Sequence, residues 1–125
     1  MSVPESISEA ESAVLAVLWE KGAVAAEEVV AALAGPRDWQ ESTVKTLLGR
    51  LLKKGAVQAR KDGRRFIYSP ALAREEWLAR ESESLLNRLF GGRVAPLVAH
   101  FSRHRKLSKR DIRELKRLVE ELEGE

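Results

Sequence analysis

The chain has 125 residues, of which 44% are hydrophobic and 33% charged, and its formal net charge at pH 7 is +3. This composition is typical of one compact domain or two small ones, and it excludes an intrinsically disordered chain. No apolar run approaches the ~20 residues that span a bilayer, and residues 1–8 lack the basic start and apolar stretch of a secretory signal. The absence of cysteine excludes disulfides and cysteine-ligated zinc, and it favours a protein of the reducing cytoplasm.

Two helices are predicted before the first basic segment. The first begins at Ser8, where Glu11 three residues later completes a capping box, and it ends at Gly22. The second extends from about Ala26 to Ala34, and a Gly-Pro pair closes it. Its cap position is Ala25, which cannot accept a hydrogen bond from a backbone amide, so this helix is expected to begin weakly.

A third helix is predicted over residues 41–55, ESTVKTLLGRLLKKG. Its apolar residues recur with helical spacing and form one stripe that faces a core: Val44, Leu47, Leu48 and Leu51. The remaining surface carries hydroxyl and basic side chains: Ser42, Thr43, Lys45, Thr46, Arg50 and Lys53. Such groups suit the base edges and phosphate oxygens of a major groove. A solvated basic face is the alternative interpretation of this helix taken alone.

Gly49 lies in the middle of that outward surface. A glycine there costs the helix about 1 kcal/mol relative to alanine. We therefore expect another large surface to approach the helix closely at Gly49.

A basic hairpin is predicted directly after this helix. Two short runs flank Asp62-Gly63, a dipeptide typical of a type I′ turn. That turn pairs Lys61 with Arg64 and Arg60 with Arg65, so two pairs of cations would repel each other across the ladder. The same register places four residues on one face, where they can cover the helix: Val57, Ala59, Phe66 and Tyr68. We expect a polyanion to relieve the repulsion.

The net charge conceals a strong polarity along the chain. Residues 1–41 contain two basic residues and eight acids, whereas residues 42–70 contain eight basic residues and one acid. The first segment therefore carries −6 and the second +7. A basic helix followed by a basic hairpin is typical of a winged helix-turn-helix on double-stranded DNA. A winged helix that docks an acidic protein partner within a larger complex is the alternative function.

Three more helices are predicted beyond the hairpin. The first is long and ends at Gly91-Gly92, the second covers about Ala95 to Arg103, and the third begins at Ser108 with Asp111 in its first turn. Their apolar stripes include eight residues that we assign to dimerisation: Leu85, Leu89, Phe101, Ile112, Leu115, Leu118, Val119 and Leu122. About 55 residues in three helices cannot bury such stripes by themselves, which predicts a two-fold homodimer. Folding back onto the N-terminal part is the alternative.

The predicted fold is therefore mainly α with a small β-hairpin wing. Residues 1–70 form a winged helix-turn-helix DNA-binding domain, and residues 71–125 form a three-helix dimerisation domain. His100 and His104 have the helical spacing of a metal-binding pair, but no third ligand is evident and neighbouring basic residues repel a cation. Since no base stands beside a nucleophile, we predict neither a metal site, nor a cofactor, nor enzyme activity.

Several stretches, in this order, resemble the bacterial penicillinase-repressor family (BlaI/MecI), to which the copper repressor CopY is related. They are the region around Trp19, the run STVKTLLGRLLKKG, the strand Phe66–Tyr68, and the segments LFGG and LVAHF. The resemblance covers the chain from about Ile7 to Leu122. It implies a dimeric winged-helix repressor that binds a pseudo-palindromic operator. Because the chain contains no cysteine, it cannot be a copper sensor with a cysteine-rich site.

The resemblance also assigns roles to residues. It places Ser42, Thr43, Lys45 and Thr46 in the major groove, and it places Arg50 with the wing residues Arg60, Lys61, Arg64 and Arg65 on phosphates. Lys53, on the same outward surface, completes the predicted DNA-binding set. In the antibiotic-responsive members a membrane sensor protease triggers cleavage in the dimerisation domain. The matching bond here is His100–Phe101, although the best-known relatives have asparagine at the position of His100.

Overall fold

The computed structural model describes residues 6–124. The prediction that residues 1–8 are not a secretory signal therefore falls largely outside the described residues. The chain forms two compact units, residues 1–78 and 79–125. The elements in chain order are α1 (Glu9–Lys21), β1 (Val24–Ala25), α2 (Ala26–Leu33), α3 (Glu41–Lys54), β2 (Val57–Asp62), β3 (Arg65–Pro70), α4 (Arg74–Leu89), α5 (Val94–His104) and α6 (Lys109–Glu123). The predicted fold class, mainly α with a small β wing, is confirmed.

The capping signals place the helix starts correctly. The Ser8 hydroxyl accepts a hydrogen bond from the Glu11 amide at 3.1 Å, and the Ser8 amide donates to the Glu11 carboxylate at 2.8 Å. At the start of α2 the Ala25 amide donates to the Glu28 carboxylate at 3.2 Å. The second hydrogen bond of a capping box is missing, because the methyl group of Ala25 cannot accept from a backbone amide. The Ser108 hydroxyl accepts from the Asp111 amide at 3.0 Å and begins α6.

The third predicted helix is α3, and its apolar stripe is the centre of the N-terminal core. All four residues of the stripe are buried: Val44, Leu47, Leu48 and Leu51. They pack with apolar residues of α1 and α2, including Leu15, Leu18 and Val29. Gly55 ends the helix with φ +79°, a left-handed conformation that glycine adopts without steric cost.

The predicted register of the hairpin is wrong. The turn is Gly63-Arg64, and Asp62 pairs with Arg65. Lys61 faces Phe66 and Arg60 faces Ile67, so neither predicted pair of cations forms across the ladder. Gly63 has φ +68° and Arg64 does not share that conformation, which is the pattern of a type II′ turn with glycine first. Glycine can occupy the second central position of a type I′ turn or the first of a type II′ turn. Because Gly63 is first here, each residue of β2 pairs with a residue of β3 two positions further along than predicted.

The sheet has one more strand than the sequence predicted. It is antiparallel with the order β1-β3-β2, and Ala25 pairs with Ile67. A strand of two residues is too short to give an alternating pattern, so no sequence signal announced β1. The pairing buries Ile67, whereas Phe66, which was expected to cover the helix, is half exposed. Val57 is buried and Tyr68 is half-buried, as the shared face required, but Ala59 is exposed.

The N-terminal unit continues past the wing to Leu78. Leu72 is buried in the core, and its carbonyl oxygen accepts a hydrogen bond from the Trp19 indole at 2.8 Å. The ring of Trp77 lies 5.5 Å from the ring of Trp19, measured between centroids. These contacts fix the start of α4 on α1. The division of function at residue 70 stays a prediction.

The C-terminal unit has little interior of its own. None of the described residues of α4, α5 or α6 is buried. Of the eight residues assigned to dimerisation, Leu115 is half-buried and the other seven are exposed, up to 69% for Leu122. The helices that the sequence predicted therefore form, but their apolar stripes are uncovered within one chain.

Candidate nucleic-acid interface

The predicted contact residues of α3 lie on its outer surface. The side chains of Ser42, Thr43, Lys45, Thr46, Arg50 and Lys53 are all exposed. The Thr46 hydroxyl donates its proton to the Ser42 carbonyl oxygen at 2.9 Å. Thr46 therefore offers a partner only its oxygen lone pairs and its methyl group, which can accept from an amino group or contact a thymine methyl.

The predicted contact residues of the hairpin are also exposed: Arg60, Lys61, Arg64 and Arg65. Arg64 lies in the turn, at the tip of the wing. Arg65, the first residue of β3, lies opposite Asp62 and forms an ion pair of 3.3 Å with Glu27 of α2. The wing is thus a basic surface without the cation–cation repulsion that the sequence predicted.

Five of the predicted DNA-binding cations make no ion pair with any residue between 6 and 124: Arg50, Lys53, Arg60, Lys61 and Arg64. Lys45 is different, because its ammonium lies 2.8 Å from the Glu41 carboxylate. The hydrogen bond to Glu41, together with the attraction of that charge, raises the pKa of Lys45 above its ordinary value. These five cations, exposed and without an ion pair among the described residues, give α3 and the wing a positively charged surface.

An eighth cation of the basic segment is not available to a partner. Lys54 reaches back to α1, where its ammonium lies 2.6 Å from the Glu11 carboxylate and 2.8 Å from the Ser6 carbonyl oxygen. Glu11 is only 1% exposed. The sequence identified Glu11 only as a capping residue, and nothing in its pattern indicated a buried partner 43 positions away.

Among the described residues we find neither a metal-binding group at the histidine pair nor a helix that could span a membrane. The rings of His100 and His104 lie 4.6 Å apart between centroids. In the part of the chain that the structure describes, no three His, Cys, Asp or Glu side chains are grouped so that they could hold a metal ion. Over the same residues, every helix is too short or too polar to cross a membrane.

Comparison with known proteins identifies the family. The sequence model of the penicillinase repressor family matches residues 7–121. The penicillinase repressor of Bacillus licheniformis is 36% identical over 115 residues, which cover 92% of this chain and 90% of that protein. The methicillin resistance regulatory protein MecI of Staphylococcus aureus strain N315 is 29% identical over 113 residues, which cover 90% of this chain and 92% of that protein.

Solved structures agree with the fold. One is the solution structure of monomeric BlaI of Bacillus licheniformis in complex with the blaP half-operator, which has 36% identity and a TM-score of 0.51 and covers 60% of this chain and 90% of that chain. Another is a probable transcriptional regulator from Pseudomonas aeruginosa, with 25% identity, a TM-score of 0.54, and coverage of 96% and 81%. The chain therefore belongs to the penicillinase repressor family.

Proposed function

We propose that the chain is a homodimeric repressor that binds a pseudo-palindromic operator through α3 and the β2–β3 wing, and that it acts in the cytoplasm. The family consists of DNA-binding transcriptional repressors, so the chain is a repressor of this kind and not an enzyme. The observation that carries the finer proposal is the set of five exposed, unpaired cations on α3 and the wing. A helix with exposed hydroxyls beside a basic hairpin suits a major groove and its flanking phosphates.

Salt dependence tests this assignment. If each half-site neutralises about four or five phosphates, log K against log salt falls with a slope of roughly −7 to −9 for the dimer. We expect Arg64→Ala to weaken binding to all sequences and to flatten the slope by about 0.9 for each half-site. Titration of a labelled duplex at several salt concentrations measures both effects.

Lys21→Ala is the matched control, because Lys21 is an exposed cation at the end of α1 and outside the assigned surface. It should leave the slope unchanged. A wild-type slope near zero would contradict DNA binding through this surface.

Gly49 gives a second test, in which stability and binding change in opposite directions. Nothing lies within 4 Å of a Cβ atom added at this position, so the fold itself has room for alanine. We expect Gly49→Ala to raise the free energy of unfolding by about 1 kcal/mol and to weaken DNA binding, because the methyl group meets the docked duplex. Urea unfolding and a binding titration check the two parts. Unchanged affinity would exclude close approach of DNA to this turn of α3.

The uncovered C-terminal stripes support the dimer. A groove of about 630 Å³ lies along α6 and is lined by Ile112, Leu115 and Val119, and a second of about 250 Å³ is lined by Phe101 and Leu118. Apolar grooves of this size in a unit without buried residues favour a covering partner. We propose a second copy of the chain as this partner, because the resemblance to the family implies a dimer on a pseudo-palindromic operator.

We also propose that repression ends by cleavage of the His100–Phe101 bond after activation of a sensor protease. Both residues are exposed and lie in α5, which buries none of its residues, so local opening should cost little. Separated halves lose the linked second site, which lowers affinity without any change at the DNA contacts. An immunoblot of the host with and without inducer follows the length of the chain. Full-length protein that leaves its operator in induced cells would exclude cleavage as the switch.

A further inference from the structure

Two carboxylates lie within the basic surface, one on α2 and one on α3. Glu41, in the first turn of α3, pairs with Lys45 at 2.8 Å, and Glu27, in the first turn of α2, pairs with Arg65 at 3.3 Å. The four side chains are between 54% and 59% exposed. Both pairs therefore lie at the surface that is assigned to DNA, and each engages one of the predicted contact residues.

The charges of the two pairs interact only weakly. The pKa of Lys45 is raised first by the Glu41 hydrogen bond and charge, and to a smaller degree by Tyr68 and Glu27. Tyr68 belongs to the central strand of the sheet and Glu27 to α2. The Glu41 carboxylate, at 2.8 Å, therefore dominates at this ammonium, and the charge of Glu27 adds a small effect.

The fold gives these acids only a small role, because a carboxylate in the first turn of a helix offsets the helix dipole and stabilises the helix only slightly. Exposed ion pairs contribute little to stability, because solvent screens the attraction and ordering the side chains costs entropy. Affinity for DNA does not explain them either. Nonspecific binding consists almost entirely of attraction between cations and phosphates, and a carboxylate beside the phosphates opposes it.

We propose that Glu41 is a specificity-determining residue of the DNA-binding surface, an inference that rests on the proposed function. It restrains Lys45, whose long side chain would otherwise reach a phosphate in any sequence. On nonspecific DNA, the phosphate must compete with the carboxylate for this cation. A wrong sequence is thereby penalised more than the right one, which is how a repulsive element creates specificity.

On the operator, base contacts compensate for this penalty. Glu41 stands in the first turn of the helix, where recognition helices contact base edges. In the major groove a carboxylate can accept a hydrogen bond from the amino group of cytosine or adenine, whereas the oxygens of guanine and thymine repel it. Glu41 should therefore select cytosine or adenine, over guanine or thymine, at the base that it faces. Glu27 acts on Arg65, a predicted phosphate contact in any sequence, through charge alone, so it opposes binding to operator and nonspecific DNA alike.

The test uses the full chain and two duplexes: one enriched by wild type from a random-sequence library, and one of unselected sequence. Glu41→Gln keeps the size of the side chain and removes its charge. We expect it to bind the unselected duplex about threefold more tightly for each half-site, or about tenfold as a dimer. Affinity for the enriched duplex should change by much less. The ratio of the two dissociation constants therefore falls. Glu27→Gln is the comparison within the same surface: it should tighten both duplexes by a similar factor and leave the ratio unchanged.

Glu20→Gln is the control, since Glu20 is an exposed acid on α1 and its replacement changes the net charge equally. It should leave the ratio unchanged. If Glu41→Gln strengthens binding to both duplexes by the same factor, or to neither, the inference is wrong. If wild type itself fails to distinguish the duplexes, the proposed function is wrong, and the two failures are separated by this first measurement.

Discussion

Leu118→Asp is expected to convert the protein into a monomer with roughly 10²–10⁴-fold weaker affinity for a palindromic site. Leu118 is 48% exposed and lines an apolar groove with Phe101. In a dimer the introduced carboxylate would be buried without a partner, at a cost of several kcal/mol. In a monomer it would remain in water. The N-terminal unit, with its own core, should stay folded and keep its contacts to one half-site.

Sedimentation at about micromolar concentration measures the association state. Titration of full-site and half-site duplexes shows whether affinity is lost because the second subunit is missing or because the DNA contacts have changed. Arg113→Asp is the control, because Arg113 is exposed on the opposite, polar face of α6. It should remain dimeric and bind the full site as wild type does. A monomeric wild type under the same conditions would contradict the dimer proposal.

The second large effect is expected at Glu11, which is buried in the N-terminal unit. Glu11→Ala removes the acceptor of both the Lys54 ammonium and the Ser8 amide. The Lys54 side chain is only 16% exposed, so its charge would be left largely desolvated. We expect a loss of about 3 kcal/mol in the free energy of unfolding, the size of effect that follows when one partner of a buried pair is removed.

Urea unfolding followed by far-UV circular dichroism measures this loss. Glu9→Ala is the control, since Glu9 precedes Glu11 by one half-turn and its side chain, which pairs with Arg37, is 75% exposed. It should have little effect on stability. A loss at Glu11 no larger than that at Glu9 would contradict a structural role for the buried pair.

The same pair predicts a pH dependence. Burial raises the pKa of Glu11, but the hydrogen bonds from Lys54 and Ser8 outweigh it, and the net pKa lies below the ordinary value of 4.5. A depressed folded-state pKa stabilises the protein above the unfolded-state value, and the stabilisation disappears as pH falls through the folded-state value. The stability difference between wild type and Glu11→Gln should therefore be constant near neutrality and shrink below about pH 4.5. A difference that grows on acidification would contradict this sign.

Local signals predicted the helices correctly. Ser8 with Glu11, and Ser108 with Asp111, supply their own cap contacts within one turn, so the sequence alone contains the information. The outer surface of α3 was predictable for the same reason, because its buried stripe leaves only one face for other residues. The family followed from the order of these motifs.

Contacts between distant residues could not be predicted in this way. Asp-Gly and Gly-Arg are both acceptable turn pairs, and the choice depends on how β3 packs beside β1, a strand of two residues. The pairs that engage Lys45, Lys54 and Arg65 depend on which side chains the fold brings together. A simple charge count for residues 42–70 therefore overstates what a partner meets, because it omits Glu11, Glu27 and Glu41.

The Gly63-Arg64 turn has a consequence for how the wing can vary in sequence. Because Gly63 has φ +68°, a side chain there would strain the turn and favour another loop. A different loop would slide β3 along β2 and change which cations face each other, although no charged residue had been replaced. A change in the number of arginines alters the total positive charge of the wing, whereas a change at residue 63 alters where the charged side chains lie. Two homologous wings with identical charged residues can thus present different electrostatic patterns to the same duplex.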